Sequence, residues 1–260
     1  MNDPLDDFDC SPFTAAGSTR AVYRQGSGPA VVILTEMPGI TPDVADFARR
    51  VVSEGFSVTM PDLFGTPGRP FSNGYVLSSI VKGCVSREFV AFAREKTSPI
   101  TEWLRPLVAD AHERVGGAAV SNGVGVVGMC FTGGFALALT VDPLVRVPVM
   151  SQPSMPFGLT KRGKSDLGLD PADLAVVKDR VESEDLCVVG LRFTGDPLVP
   201  AERFERLRAE FGERFVAVEL ESANKQQHSV LAIEYDPAPG SPTRNAYELV
   251  IDHFRRLAPT

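Results

Sequence analysis

The stretch VVGMCFTGG at residues 126–134 decides the fold. A β-branched run at 124–129 leads directly into Cys130, and residues 133–139 have the composition of a short helix. A nucleophile on a sharp turn between a strand and a helix needs small neighbours, because bulky side chains would clash there. The start of the helix also stabilises negative charge on a sulfur atom or an oxyanion. The pattern therefore predicts a nucleophile elbow in which cysteine replaces the usual serine.

Two other interpretations of this motif stay open when it is considered alone. Cys130 could be a buried structural cysteine before a glycine-rich turn, since free cysteines are often buried. The turn could instead bind phosphate, although it lacks the Lys-Ser/Thr pair of a P-loop and the spacing of a dinucleotide fingerprint. The small residue usual two positions after the nucleophile is Thr132 here, but Gly133 and Gly134 follow and allow close helix packing.

Outside this motif, short β-branched runs alternate with longer helical patterns. Strands are predicted at 30–35, 56–60, 124–129, 145–150, 186–193 and 215–220. Helices are predicted at 42–54, 86–114 with a break near 98–99, 133–139, 201–211 and 244–257. This alternation predicts an α/β fold, with a mostly parallel sheet and helices on both faces. Residues 20–23 are a candidate edge strand, residues 63–83 are expected to wall a pocket, and residues 1–18 are expected to be a flexible N-terminal segment.

Length and composition favour a cytoplasmic enzyme built as one domain. The chain has 260 residues, and its net charge of −7 disfavours nucleic-acid or anionic-membrane binding. The N-terminus, MNDPLDDFDC, lacks the basic start and apolar run of a signal peptide. The four cysteines and three histidines are scattered, so neither a metal site nor a disulfide framework is expected.

Two further polar residues follow predicted strands. Asp196 comes after the strand at 186–193, and His228 lies in the loop after the strand at 215–220. With Cys130, they give the chain order nucleophile, acid, histidine that α/β hydrolases use. Three such residues at the ends of three strands predict a nucleophile–histidine–acid site.

Each of these residues also has a plainer explanation. Asp196 precedes Pro197 and could be a turn former or a helix cap. His228 could be an exposed loop histidine. The other histidines, His112 and His253, fall within predicted helices and are poorer candidates for the base.

From about residue 30 to its C-terminus, the chain resembles the dienelactone hydrolase (carboxymethylenebutenolidase) family of the α/β-hydrolase superfamily. The segments that carry the resemblance are GMCF at 128–131, LTEMPG at 34–39, MPDLF at 60–64, GDPLVP at 195–200 and HS at 228–229. The resemblance implies a single-domain α/β-hydrolase fold with Cys130, Asp196 and His228 as catalytic residues.

The resemblance implies roles for three more positions. A family glutamate at the place of Glu36 contacts the resting thiol, and a carboxylate there would disfavour the thiolate by like-charge repulsion. The alternative is that Glu36 only caps the following helix. The backbone N–H groups of Met37 and Phe131 fall where the family builds its oxyanion hole.

Two departures concern substrate binding. The family arginine four residues after the histidine is replaced by Ala232. A second family arginine comes from the middle helical region, where Arg87 is the candidate and Arg94 the alternative; either could equally be a solvated surface residue. The reaction type is therefore better supported than a dienelactone substrate.

The sequence thus predicts a hydrolase that cleaves a small-molecule ester or lactone through an acyl-thiol intermediate, with no cofactor and no metal. It is expected to act as a monomer or homodimer, without nucleic-acid or membrane partners. One alternative is an acyltransferase or thioesterase with the same three residues. Another is a catalytically silent hydrolase-fold protein that binds a ligand or senses oxidants through Cys130.

Overall fold

Eight strands form one sheet in the computed structural model, which describes residues 1–72, 74–75, 97–154 and 161–259. They are β1 (Asp9–Ala15), β2 (Ser18–Gln25), β3 (Ala30–Leu34), β4 (Ser57–Pro61), β5 (Val124–Met129), β6 (Val145–Ser151), β7 (Val188–Phe193) and β8 (Phe215–Leu220). Their order across the sheet is β1-β2-β4-β3-β5-β6-β7-β8. Only the β1–β2 and β2–β4 pairs are antiparallel. The predicted mostly parallel sheet is confirmed.

Helices cover both faces of this sheet. They are α1 (Pro42–Ser53), α2 (Ile100–Arg114), α3 (Gly133–Leu139), α4 (Lys161–Lys164), α5 (Pro171–Ser183), α6 (Ala201–Phe211) and α7 (Pro242–Arg255). Side-chain alternation along β3 explains the two layers. Val31 and Ile33 share a core cluster with α1 and α7, whereas Val32 and Leu34 share one with α2 and α3. All of β3 is buried, as expected for a central parallel strand.

The predicted elements match the structure well where their patterns are local. β5, β8, α3 and α6 begin and end at the predicted residues. The predicted helix at 86–114 and pocket wall at 63–83 are only partly described, because residues 73 and 76–96 lie outside the described part of the chain. Within it, the helix begins at Ile100.

The N-terminal segment, residues 1–18, which was expected from the sequence to be flexible, contains β1 and packs against the core in the structure. β1 pairs with β2 and is the edge strand, while Leu5 and Phe8 are buried in the main core. The Arg49 guanidinium on α1 binds the Asp3 carboxylate at 2.7 Å. The mixture of acidic and apolar residues in this segment does not predict its packing. Arg49, the partner of Asp3, lies more than forty residues away in sequence.

Candidate active site

Polar loops meet at the carboxyl ends of the parallel strands, the usual location for sites in α/β sheets. Glu36 follows β3, Cys130 follows β5, Asp196 follows β7 and His228 lies in the loop after β8. A short polar segment at the end of β6, residues 151–154, completes this group. The structure thus brings together residues that lie far apart in sequence.

Cys130 occupies a strained turn between β5 and α3. Its φ angle is +55°, in the left-handed region that non-glycine residues rarely adopt. Such a conformation costs about 1–3 kcal/mol and persists only where the surroundings enforce it. Gly128 and Gly133 provide the necessary room: a Cβ atom at Gly128 would lie 2.2 Å from the Thr132 carbonyl oxygen, and one at Gly133 would lie 2.7 Å from Pro153 Cβ. The predicted elbow geometry is present.

Replacement of Gly128 by alanine is expected to destabilise the fold by about 3 kcal/mol or more, because the new Cβ would overlap backbone atoms that cannot rotate away. Urea unfolding followed by circular dichroism measures this change. Gly134→Ala in the same turn region is the matched control. Its Cβ would approach Leu167 O only to 3.1 Å, so its effect should be much smaller. Equal midpoints for the two variants would contradict the steric explanation.

Thr132 replaces the usual small residue two positions after the nucleophile, and its hydrogen bonds connect the elbow to β3. Its Oγ1 atom accepts a hydrogen bond from the Met129 N–H at 2.8 Å and lies 2.7 Å from the Leu34 carbonyl oxygen, to which it donates. The side chain is fully buried. It therefore fixes the elbow relative to the end of β3, just before Glu36 and Met37.

The Asp196 carboxylate and the His228 ring form a close pair. His228 Nδ1 lies 2.6 Å from Asp196 Oδ2, and the other carboxylate oxygen accepts from the Leu198 N–H at 2.9 Å. Asp196 is buried, so its orientation is fixed from both sides. With Nδ1 donating to the carboxylate, Nε2 is the ring atom left for chemistry. Nε2 is buried and makes no hydrogen bond to the described residues.

The protonated form of the His228 ring is favoured. Burial alone would lower the pKa of His228, but the negative charge of the Cys130 sulfur and the hydrogen bond to Asp196 together raise this pKa well above its ordinary value. Both groups lie at the carboxyl edge of the sheet, Cys130 after β5 and His228 after β8. An imidazolium beside a thiolate is the pairing that activates cysteine nucleophiles.

The Cys130 sulfur contacts a serine rather than Glu36. Cys130 Sγ lies 2.9 Å from Ser154 Oγ. The Glu36 carboxylate instead accepts from Ser229 Oγ at 2.6 Å and from Gln152 Nε2 at 2.9 Å. The structure thus gives Glu36 hydrogen bonds to these two neighbours, and its implied role at the resting thiol stays a prediction.

Glu36 is a buried acid that joins three loops. Burial raises the pKa of its carboxyl group, while the positive charge of His228 and the two hydrogen bonds oppose that rise. Gln152 extends the network, since its Oε1 accepts from the Val230 N–H at 3.2 Å. Glu36 therefore links the β3 and β6 ends to the segment that carries His228.

The two predicted oxyanion donors lie in the segments that follow β3 and β5. Met37 is buried beside the elbow, and its N–H makes no hydrogen bond to another described residue. The Phe131 ring packs edge-on against Phe64 and Phe135, with centroids 6.2 and 5.3 Å away, which holds the turn after Cys130. The predicted substrate arginines, Arg87 and Arg94, lie outside the described residues.

The sequence prediction missed Gln152 and Ser154. Both belong to SQPS, the polar tetrapeptide after the apolar run of β6. Its position at the carboxyl end of a parallel strand was the available signal. It was overlooked because it contains neither histidine nor a charged residue.

The described residues were also searched for metal sites and membrane spans. They contain no group of three or more His, Cys, Asp and Glu side chains that could hold a metal ion. Of the helices in the described ranges, none combines the length and apolar character needed to cross a bilayer.

A mostly parallel sheet with an elbow after its central strand, an acid after β7 and a histidine after β8 defines the α/β-hydrolase fold. The sequence matches the dienelactone hydrolase family model over residues 17–258, and the chain belongs to that family. It is therefore a carboxylic ester hydrolase by class. A search of curated proteins gave no significant match.

Solved structures with the same fold are distant in sequence. The dienelactone hydrolase-like promiscuous phosphotriesterase P91 from metagenomic libraries is 18% identical, with a TM-score of 0.63 over 96% of this chain and 98% of its own. A cold-adapted esterase from an Arctic intertidal metagenomic library is 13% identical, with a TM-score of 0.58 over 98% and 97%. The thioesterase domain from the curacin biosynthetic pathway is 10% identical, with a TM-score of 0.57 over 94% and 99%.

Proposed function

We propose that the protein hydrolyses a small ester or lactone through an acyl-thiol intermediate on Cys130, with His228 as the proton carrier and Asp196 as its partner. The observation that carries this proposal is the 2.6 Å hydrogen bond between His228 Nδ1 and Asp196 Oδ2. It leaves Nε2 without a described partner, in a ring whose pKa the negative charge of the Cys130 sulfur helps to raise.

The first half-reaction acylates the sulfur. The Cys130 thiolate attacks the carbonyl carbon and forms a C–S bond, while the N–H groups of Met37 and Phe131 stabilise the oxyanion. The intermediate then collapses and breaks the C–O bond. The leaving alkoxide takes its proton from the His228 imidazolium, which gives an alcohol, or the free hydroxyl end of an opened lactone.

The second half-reaction releases the acid. Neutral His228 removes a proton from water, and the resulting hydroxide attacks the thioester carbon. Collapse of this second intermediate breaks the C–S bond and regenerates the thiolate beside the imidazolium. No electron acceptor or further co-reactant is needed.

Trapping of the acyl enzyme tests this proposal. A hindered activated ester, p-nitrophenyl pivalate, should acylate the protein faster than the thioester is hydrolysed. Peptide mass spectrometry after an acid quench is expected to find one acyl group on the Cys130 peptide and none on that of Cys187, a second free thiol. An acyl group on another residue, or turnover that survives complete alkylation of Cys130, would contradict the proposal.

An analysis of the products formed from the same ester separates hydrolysis from acyl transfer. With added alcohols or amines, a hydrolase should yield mainly the free acid, whereas an acyltransferase should yield mainly the new ester or amide. Lactone opening can be followed in parallel by the acid released.

A further inference from the structure

A hydroxyl group lies directly on the proposed nucleophile. Ser154 Oγ is 2.9 Å from Cys130 Sγ, the atom that would attack the substrate. Neither the elbow motif nor the predicted histidine and acid accounts for this contact. We propose that Ser154 is a further catalytic residue, whose hydroxyl donates a hydrogen bond to the anionic sulfur of Cys130. This inference rests on the proposed function of Cys130.

The neighbouring charges determine the direction of this hydrogen bond. A thiol could donate to the serine oxygen, but a thiolate has no proton and can only accept. In the proposed mechanism the attacking sulfur is a thiolate, and the raised pKa of His228 favours an imidazolium as its counter-charge. Ser154 is then the donor, and its bond to a charged acceptor is stronger than one between neutral groups.

Backbone contacts on both sides hold the serine in place. The Ser154 N–H donates to the Cys130 carbonyl oxygen at 3.0 Å, so the two residues are joined through main chain as well as side chain. The preceding carbonyl, that of Pro153, accepts from Arg203 Nη1 at 2.6 Å. Arg203 is only 2% exposed, and Gly133 packs against Pro153 without room for a Cβ atom. The hydroxyl is therefore positioned by the fold.

This arrangement has different consequences for the two half-reactions. Before attack, the Ser154 hydroxyl favours the thiolate and increases its population. After acylation, the sulfur is part of a neutral thioester and no longer a strong acceptor. Ser154 should therefore promote acylation while leaving thioester hydrolysis nearly unchanged.

The test compares Ser154→Ala with Ser154→Thr, which keeps the hydroxyl, and with the matched control Ser121→Ala. Ser121 is also buried and hydrogen-bonded, but it lies before β5, at the opposite end of the sheet. The rate of Cys130 alkylation by iodoacetamide is measured against pH without substrate. For Ser154→Ala the midpoint of this profile should rise by about one pH unit, the shift expected when a hydrogen bond to a charged group is lost. Ser121→Ala should match the parent protein, and Ser154→Thr should recover most of the shift.

Single-turnover kinetics with the hindered ester add a second readout. Below the midpoint, acylation by Ser154→Ala should be about tenfold slower, and the difference should disappear at alkaline pH, where both thiols are ionised. A loss that is equal at every pH would indicate a merely structural role and overturn the proposal. So would an unchanged or lowered alkylation midpoint. Failure of the proposed function is recognised separately, as ester hydrolysis that persists after Cys130→Ala.

Discussion

Replacement of Cys130 by alanine is expected to lower kcat/KM for ester hydrolysis by about 10⁴-fold or more, because the acyl-thiol intermediate can no longer form. The residual rate would come from oxyanion stabilisation and substrate binding alone. The measurement is initial-rate kinetics on a panel of lactones and activated aryl esters. Alanine is smaller than cysteine and introduces no steric overlap at this turn, so the variant should still fold.

Cys187→Ala is the matched control for this experiment. Cys187 is a partly buried free cysteine just before β7, at the end of the sheet opposite the site, and its loss should leave kcat/KM unchanged. Unchanged turnover by Cys130→Ala would remove Cys130 from the mechanism. If the parent protein hydrolyses none of these esters, the alternative of a catalytically silent ligand-binding or thiol-sensing protein is favoured instead.

Replacement of Asp196 by asparagine is expected to lower kcat by about 10⁴-fold. The carboxylate accepts from His228 Nδ1 at 2.6 Å, whereas an amide can present its NH₂ group instead and favour the wrong tautomer. The variant also loses the negative charge that helps to raise the pKa of His228. That pKa should fall, and less of the sulfur should be ionised at neutral pH.

The pH dependence provides an independent check on Asp196. In the parent protein the raised pKa of His228 favours the imidazolium near neutral pH. Asp196→Asn should therefore slow iodoacetamide alkylation of Cys130 near neutrality, with the difference shrinking as pH rises. Asp185→Asn is the control: this exposed aspartate precedes β7, whereas Asp196 follows it. Alkylation that is equally fast in Asp196→Asn and the parent would contradict the assigned pairing.

Glu36 is a residue whose position after β3 the family resemblance indicated, but whose hydrogen-bond partners it did not. The resemblance put a glutamate after β3, and the structure has it buried there at the site. Its partners are Gln152 and Ser229, which come from two other loops. Burial raises the pKa of this carboxyl group, and its two hydrogen bonds join the loops after β3, β6 and β8.

The parts of the fold that could be predicted depend on short-range patterns. β5 and α3 were predicted to the residue because a fully apolar run and a glycine-rich turn stand next to each other in sequence. The order of Cys130, Asp196 and His228 after three strands also predicted their meeting, since parallel strands share one carboxyl edge. The bond between His228 and Asp196 confirms that two of these loops meet.

Other features depend on contacts between distant segments. The N-terminal segment is held by the ion pair between Arg49 and Asp3. Arg49 lies beside Asp3 only once α1 has packed against the sheet. Nothing local in the acidic stretch indicates that partner. Burial of Leu5 and Phe8 similarly requires the core formed by much later elements.

The sequence by itself determined the α/β-hydrolase architecture and the elbow at Cys130, because glycine spacing and apolar runs act over a few residues. Only the tertiary structure decided which side chain touches the Cys130 sulfur. Ser154 reaches it because β5 and β6 are neighbours in the sheet and Arg203 donates a hydrogen bond to the carbonyl group that precedes Ser154. A hydroxyl has no charge or pattern that marks it in a sequence, so its role follows from distance alone.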